Sequence, residues 1–260
     1  MKLPLITVNA FATQAFSGNP AAVTLLDAWL EDSLMQAIAA QNNIAETAFL
    51  LKSGPASYHI RWFTPAVEVP LCGHATLASA FALRECFGEK AESITFQSLS
   101  GPLSVTCKGE TYTLDFPSQP PSAAPTPDWF INAFGANPIE FHQSAYSLAI
   151  FPSQEIVAAL DPDFPLLAKT KGSNVIVSAP GNEHDFVSRF FAPADGIDED
   201  PVTGSAHCIL TPYWAKRLKK SKLTARQISP RGGELLCDLV GDRVRITGKA
   251  LLYSEATIYV

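Results

Sequence analysis

Apolar residues recur with a period of two in several short runs. Tyr58, Ile60 and Trp62 share one face of the run 58–63, Leu103, Val105 and Cys107 repeat the pattern, and so do Tyr112, Leu114 and Phe116. Val244 and Ile246 do the same near the end. Alternation of this kind predicts half-buried strands. Helices are fewer. Leu34, Met35, Ile38 and Ala39 mark an amphipathic helix over about residues 31–41, with Ser33 and Gln36 at the spacing of a capping box. The run from His74 to Leu83, HATLASAFAL, is apolar on all sides and rich in alanine, as expected of a helix inside a core. Ser205 to Leu218 is apolar first and basic later; Pro212 within it removes the bond to the Cys208 carbonyl, which predicts a kink.

These last two helices occupy equivalent places in an internal repeat. Arg61-Trp62-Phe63-Thr64-Pro65-Ala66 matches Arg189-Phe190-Phe191-Ala192-Pro193-Ala194, and Pro70-Leu71-Cys72-Gly73-His74-Ala75 matches Pro201-Val202-Thr203-Gly204-Ser205-Ala206. Each unit reads strand, turn, glycine, buried helix. Two matches in the same order, each followed by a similar helix, indicate a duplication and predict two similar lobes about a pseudo-two-fold axis. The segment Pro117–Pro127, PSQPPSAAPTP, suits only an extended connection. It places a first lobe at 1–117, completed by a strand at 250–260, and a second at 118–249.

Composition narrows the function. A formal net charge of −6 argues against a nucleic-acid or anionic-membrane surface. The one basic cluster, Lys216, Arg217, Lys219, Lys220 and Lys222, reads as a solvated helix C-terminus. The five cysteines show no CxxC or metal-knuckle spacing and are expected to be reduced thiols. No secretory leader or bilayer-length apolar stretch is evident, so the expected location is cytoplasmic.

Glycine just before a buried helix lets the first backbone N–H groups approach a ligand, and those donors with the helix dipole form an anion site. Gly73-His74 and Gly204-Ser205 are two such starts; the alternative is that both glycines merely permit tight turns. Glu46 lies where a helix gives way to a strand, flanked by Ala45, Ala48 and Phe49. It is either an acid/base withdrawn from water or an edge-strand glutamate in a salt bridge. His74 is either a second proton-transfer group or a helix cap. Asp200 stands four residues before Gly204. His59, His142, His184 and His207 give no metal spacing with carboxylates or thiols, and there is no GxGxxG or GxxxxGK[ST], so neither metal nor organic cofactor is expected.

FSGNPAAV at 16–23, NNIAETAFLL at 42–51, RWFTPAVEVPLCGHATLA at 61–78, DEDPVTGSAH at 198–207 and SPRGGELLC at 229–237 resemble the phenazine-biosynthesis PhzF-like family over nearly the whole chain. The resemblance implies an α+β fold of the diaminopimelate-epimerase kind: two lobes, each a curled, mostly antiparallel, barrel-like sheet around a central helix, with the active site between them. It implies a cofactor-independent isomerase with Glu46 as proton shuttle and His74, Asp200 and Ser205 around a small carboxylate substrate, Gly73 and Gly204 giving backbone donors. Ala45 stands where the family often has serine. Racemases of this fold use a cysteine at each helix start; here Cys72 fills the first place and Thr203 the second, and a threonine hydroxyl is too weak an acid to replace a thiol. One-base epimerisation by Glu46 and a non-catalytic binding role are the alternatives. A homodimer is the expected assembly.

Overall fold

The computed structural model describes residues 1–170 and 174–260 of the chain. They form two compact units, one of Met1–Asp115 with Thr247–Val260, the other of Phe116–Ile246.

The first unit contains β1 (Lys2–Ala10), β2 (Asn19–Leu26), α1 (Asp32–Asn42), β3 (Glu46–Gly54), β4 (Ser57–Phe63), β5 (Glu68–Val69), α2 (Gly73–Glu85), β6 (Ser93–Ser98), β7 (Gly101–Lys108) and β8 (Thr111–Pro117). β1 and β2 are antiparallel, β2 and β3 parallel, β3 and β4 antiparallel, β4 and β6 parallel, and β6, β7 and β8 antiparallel in turn. The last strand of the chain, β17 (Arg243–Tyr259), pairs with both β8 and β1. It thereby closes these eight strands into a barrel.

α2 packs against β1, β2, β3 and β7. Ala75, Leu77, Ala78, Ala80, Ala82 and Leu83 are buried on every side of it. An eight-strand barrel is only wide enough for side chains to fill. The helix is rich in alanine, and the strands it packs on carry small buried residues at Ala10, Ala21 and Ala48. The period-two runs read as expected: in β7, Leu103, Val105 and Cys107 are buried and their neighbours exposed. α1 supplies a second layer, with Met35, Ile38 and Ala39 packed against Leu3, Leu26, Phe49 and Phe63. The capping box does not form. α1 starts at Asp32 with Glu31 as its N-cap and no side-chain cap, and Gln36 instead donates to the Thr64 carbonyl at 2.9 Å.

The second unit holds β9 (Ser122–Ala123), α3 (Asp128–Phe134), β10 (Glu140–Gln143), β11 (Ser147–Ile150), α4 (Gln154–Ala159), α5 (Phe164–Ala168), β12 (Val175–Pro180), β13 (Phe186–Ala192), β14 (Ile197–Asp200), α6 (Gly204–Leu218), β15 (Lys222–Gln227), β16 (Gly233–Val240) and the start of β17. Its pairings repeat those of the first unit strand for strand. β10–β11 is antiparallel, β11–β12 parallel, β12–β13 antiparallel, β13–β15 parallel and β15–β16 antiparallel. α6 takes the place of α2, with Trp214 stacked on Phe186 and its indole N–H donating to Ser178 Oγ at 3.0 Å. α6 continues through Pro212. The Cys208 carbonyl that Pro212 cannot satisfy accepts from the Gln119 backbone N–H at 3.0 Å.

The duplicated arginines also keep their roles. Arg61 grips Glu68 with Nε and Nη2, both at 2.7 Å, while standing over the Phe63 ring. Arg189 grips Glu199 at 2.7 and 2.9 Å and stands over Phe191. Among the described residues, no helix is long and apolar enough to cross a membrane.

Candidate active site

In the first unit the turn between β1 and β2 sets the site. Gly18 has φ +76°, and a Cβ there would lie 2.3 Å from the Ala10 carbonyl oxygen, so only glycine fits. The turn delivers Asn19 to the start of β2, fully buried, with its amide nitrogen 3.2 Å from His74 Nδ1. His74 is the second residue of α2, not its cap; the N-cap is Cys72, in extended backbone. Cys72 Sγ lies 3.5 Å from the same Nδ1.

Glu46 opens β3 and brings Oε2 to 2.9 Å from His74 Nε2, with only 12% of the Glu46 side chain and 6% of the His74 side chain exposed. The two atoms form a buried ion-pair contact.

Burial alone would lower the proton affinity of His74. The Cys72 sulfur at Nδ1 and the Glu46 carboxylate at Nε2 outweigh it and hold the ring's pKa well above its ordinary value. Burial, reinforced by the charge of Glu46, pushes the Cys72 thiol up to about 11. Cys72 is therefore a neutral thiol in that range.

Asp200, Thr203, Gly204 and Ser205 belong to the second unit, at the start of α6. Thr203 is the N-cap, as Cys72 is in α2, and neither uses its side chain to cap its helix. The Thr203 hydroxyl donates to Asp200 Oδ2. Gln227 locks both: its Oε1 accepts from the Thr203 backbone N–H at 2.9 Å and its Nε2 donates to the Asp200 carbonyl at 2.6 Å. Ser205 Oγ lies 3.2 Å from the Tyr146 hydroxyl. One turn on, His207 is fully buried and its pKa is pushed down to about 4 by burial, so it stays neutral and takes no cationic role.

Residues 8–256 match the family model described as "Phenazine biosynthesis-like protein". The chain belongs to that family. It is 52% identical to an uncharacterised isomerase of Pseudomonas aeruginosa over 99% of both chains. It is 46% identical to a solved PhzF-family structure from Enterococcus faecalis, with a TM-score of 0.97 over 100% of both chains. A probable proline racemase of Agrobacterium radiobacter, 13% identical, superposes with a TM-score of 0.67 over 99% of this chain and 93% of that one. That likeness is one of fold, and the α+β architecture of this phenazine biosynthesis-like protein is the epimerase and racemase fold.

Glu46, Cys72 and His74 each bring a potential ligand atom within 4.8 Å of the others, a set that zinc could use. Cys72 Sγ lies at Nδ1 and Glu46 Oε2 at Nε2 of the same ring.

Sequence reasoning missed Asn19 and Gln227. Asn19 was legible only as a turn residue, although a buried polar side chain followed by Ala21 and Val23 on the inward face of a strand is a usable signal. Gln227 reaches Thr203 across 24 residues, and no local pattern announces it.

The raised pKa of His74 has a consequence for stability. A group held above its unfolded value stabilises the fold fully below that value, about 6.5, and loses the contribution as pH rises through the folded pKa. Thermal denaturation between pH 5 and 9 should show the gap in melting temperature between the parent and His74→Gln narrowing as pH climbs above about 6.5. A gap that widens in that direction would contradict the assignment.

Proposed function

We propose that this phenazine biosynthesis-like protein is a cofactor-independent isomerase that moves a proton between two carbons of a small carboxylate substrate. One observation carries the reading: a nearly buried glutamate, Glu46, whose carboxylate lies 2.9 Å from His74 Nε2 at the N-terminus of a helix enclosed by a barrel. In this mechanism the Glu46 carboxylate takes a proton from an acidic C–H. The electron pair of that bond spreads into the conjugated acid, and protonated Glu46 returns the proton to a second carbon. His74, in contact with that carboxylate, offsets the negative charge of the substrate when it carries a proton. Burial excludes water, which strengthens that effect.

The first backbone N–H groups of α2, at Gly73 and His74 beside Cys72, are proposed to bind the substrate carboxylate with the aid of the helix dipole. Gly204 and Ser205 at the start of α6 are proposed as the equivalent anion-binding position of the second unit. Asp200 and Thr203 complete the polar lining there, held in place by Gln227. The test is a thermal-shift comparison of small carboxylic acids with their primary amides. A true substrate-class acid raises the melting temperature, because it binds only the folded state, and its amide does not. Equal shifts from acid and amide would refute the carboxylate reading.

A further inference from the structure

Asn19 is the first residue of β2 and is fully buried, on a strand that continues with the buried apolar residues Ala21, Ala22 and Val23. Taking an amide out of water is costly unless it is hydrogen-bonded inside, so an apolar residue would be the more stable choice at this position. The backbone has no room to adjust. Ala10 pairs with Asn19 across the β1–β2 turn, and the left-handed Gly18 just before it packs directly on the Ala10 carbonyl. The amide therefore reaches His74 from a fixed point.

Its nitrogen lies 3.2 Å from His74 Nδ1, while Nε2, across the ring, lies 2.9 Å from Glu46 Oε2. A half-turn of the imidazole about its Cβ–Cγ bond would put carbon where each nitrogen stands and lose both contacts. The Cys72 sulfur, 3.5 Å from Nδ1, is a weak hydrogen-bonding partner and discriminates poorly between the two orientations. A carboxamide discriminates well. It carries a donor at one end and an acceptor at the other, so by turning end for end it pairs with Nδ1 whether that nitrogen is bare or protonated. The second unit has a counterpart. Ser205, the repeat equivalent of His74, has the Tyr146 hydroxyl at 3.2 Å, and Tyr146 immediately precedes β11, the strand equivalent to β2. In each unit the second residue of the central helix meets a side chain from the start of the same strand.

We propose that Asn19 is a positioning residue for His74: its amide selects the ring orientation that keeps Nε2 on Glu46. It touches no substrate and acts only through the imidazole. Its consequence for turnover rests on the acid/base reading of Glu46 and His74, whereas the ring orientation is a property of the free protein and is measured without substrate.

The test is NMR of the full chain labelled with 15N-histidine, with circular dichroism confirming that each variant is folded. His74 Nε2 is buried, so its N–H is shielded from exchange and gives a downfield ring signal, identified by its absence from His74→Gln. In Asn19→Leu, which keeps the volume but not the amide, that signal is lost as the ring turns away from Glu46. Asn19→Ala, which removes the amide without risk of a clash, has the same effect. In Asn19→Asp the signal stays, because a carboxylate accepts from a protonated Nδ1 and holds the ring the same way. A parental signal in both apolar variants, or its loss from Asn19→Asp along with them, would overturn the proposal. On the acid selected by thermal shift, Asn19→Leu lowers kcat about tenfold and leaves KM nearly unchanged, as expected when one hydrogen bond supporting the transition state is removed. A lost signal with kcat unchanged would uphold the hold of Asn19 on the ring and refute the part given to His74 in turnover.

Discussion

Replacing Glu46 with Gln lowers turnover by about 10²–10⁴-fold, the usual size of a general acid/base contribution. Glutamine keeps the length and shape of the side chain and its contact with His74, but it cannot carry the proton. The fold should tolerate the change. Glu46 lies at the first residue of β3, its neighbours Thr47 and Ala48 are held by pairing to β4, and no described hydrogen bond is lost from Oε2. The comparison is steady-state kinetics on the acid selected by thermal shift, with circular dichroism confirming an unchanged fold. A purified Glu46→Gln protein with near-parental turnover would remove Glu46 from the mechanism.

The second large effect is on stability. Arg189→Met should destabilise the second unit by about 3–5 kcal/mol, the cost of breaking a buried ion pair on one side. Arg189 and Glu199 each expose only 12% of their side chains. The guanidinium also serves backbone carbonyls at the end of α4, donating to Val157 at 3.2 Å and Leu160 at 2.7 Å. Methionine fills the space over Phe191 but leaves Glu199 charged, buried and alone. Arg61→Met, at the equivalent position of the first unit, should cost less: Arg61 exposes 22% of its side chain and one of its partners, Asp32, exposes 76%. Urea unfolding followed by tryptophan fluorescence, with Trp29 and Trp62 in the first unit and Trp129 and Trp214 in the second, measures the difference. A loss for Arg189→Met below about 1 kcal/mol would put it with ordinary surface pairs.

Much of this architecture is legible in the chain because it rests on local patterns. HATLASAFAL has no polar face, and α2 has none in the barrel. The alternation at Leu103, Val105 and Cys107 matches the inward positions of β7. The paired motifs around Arg61 and Arg189 reappear as two matching arginine–glutamate grips on two matching sheets. Glu46 and His74, picked out by their odd settings and by the family resemblance, meet at 2.9 Å.

What stayed hidden depends on contacts between distant residues. Asn19 meets His74 across 55 positions, and only the closed barrel brings β2 beside the start of α2. Ser33 and Gln36 copy a capping box, but the helix takes Glu31 as its N-cap, two residues before Ser33, and Gln36 donates to Thr64 instead. Pro212 was readable as a lost hydrogen bond, whereas the substitute donor, Gln119, sits in the proline-rich connection 89 residues before the Cys208 carbonyl it serves. A local rule identifies the unsatisfied group; tertiary structure decides what satisfies it.

The central claim is that Glu46 breaks the C–H bond, and isotope tracing tests it most directly. The acid selected by thermal shift is deuterated at its acidic carbon and incubated with the parent protein and with Glu46→Gln, and label at each carbon is followed by NMR. The account predicts that the parent removes deuterium from that carbon and leaves label or solvent hydrogen on a second one, while Glu46→Gln leaves the original C–D bond intact over the same period. Loss of deuterium at the parental rate in Glu46→Gln would show that another group is the base.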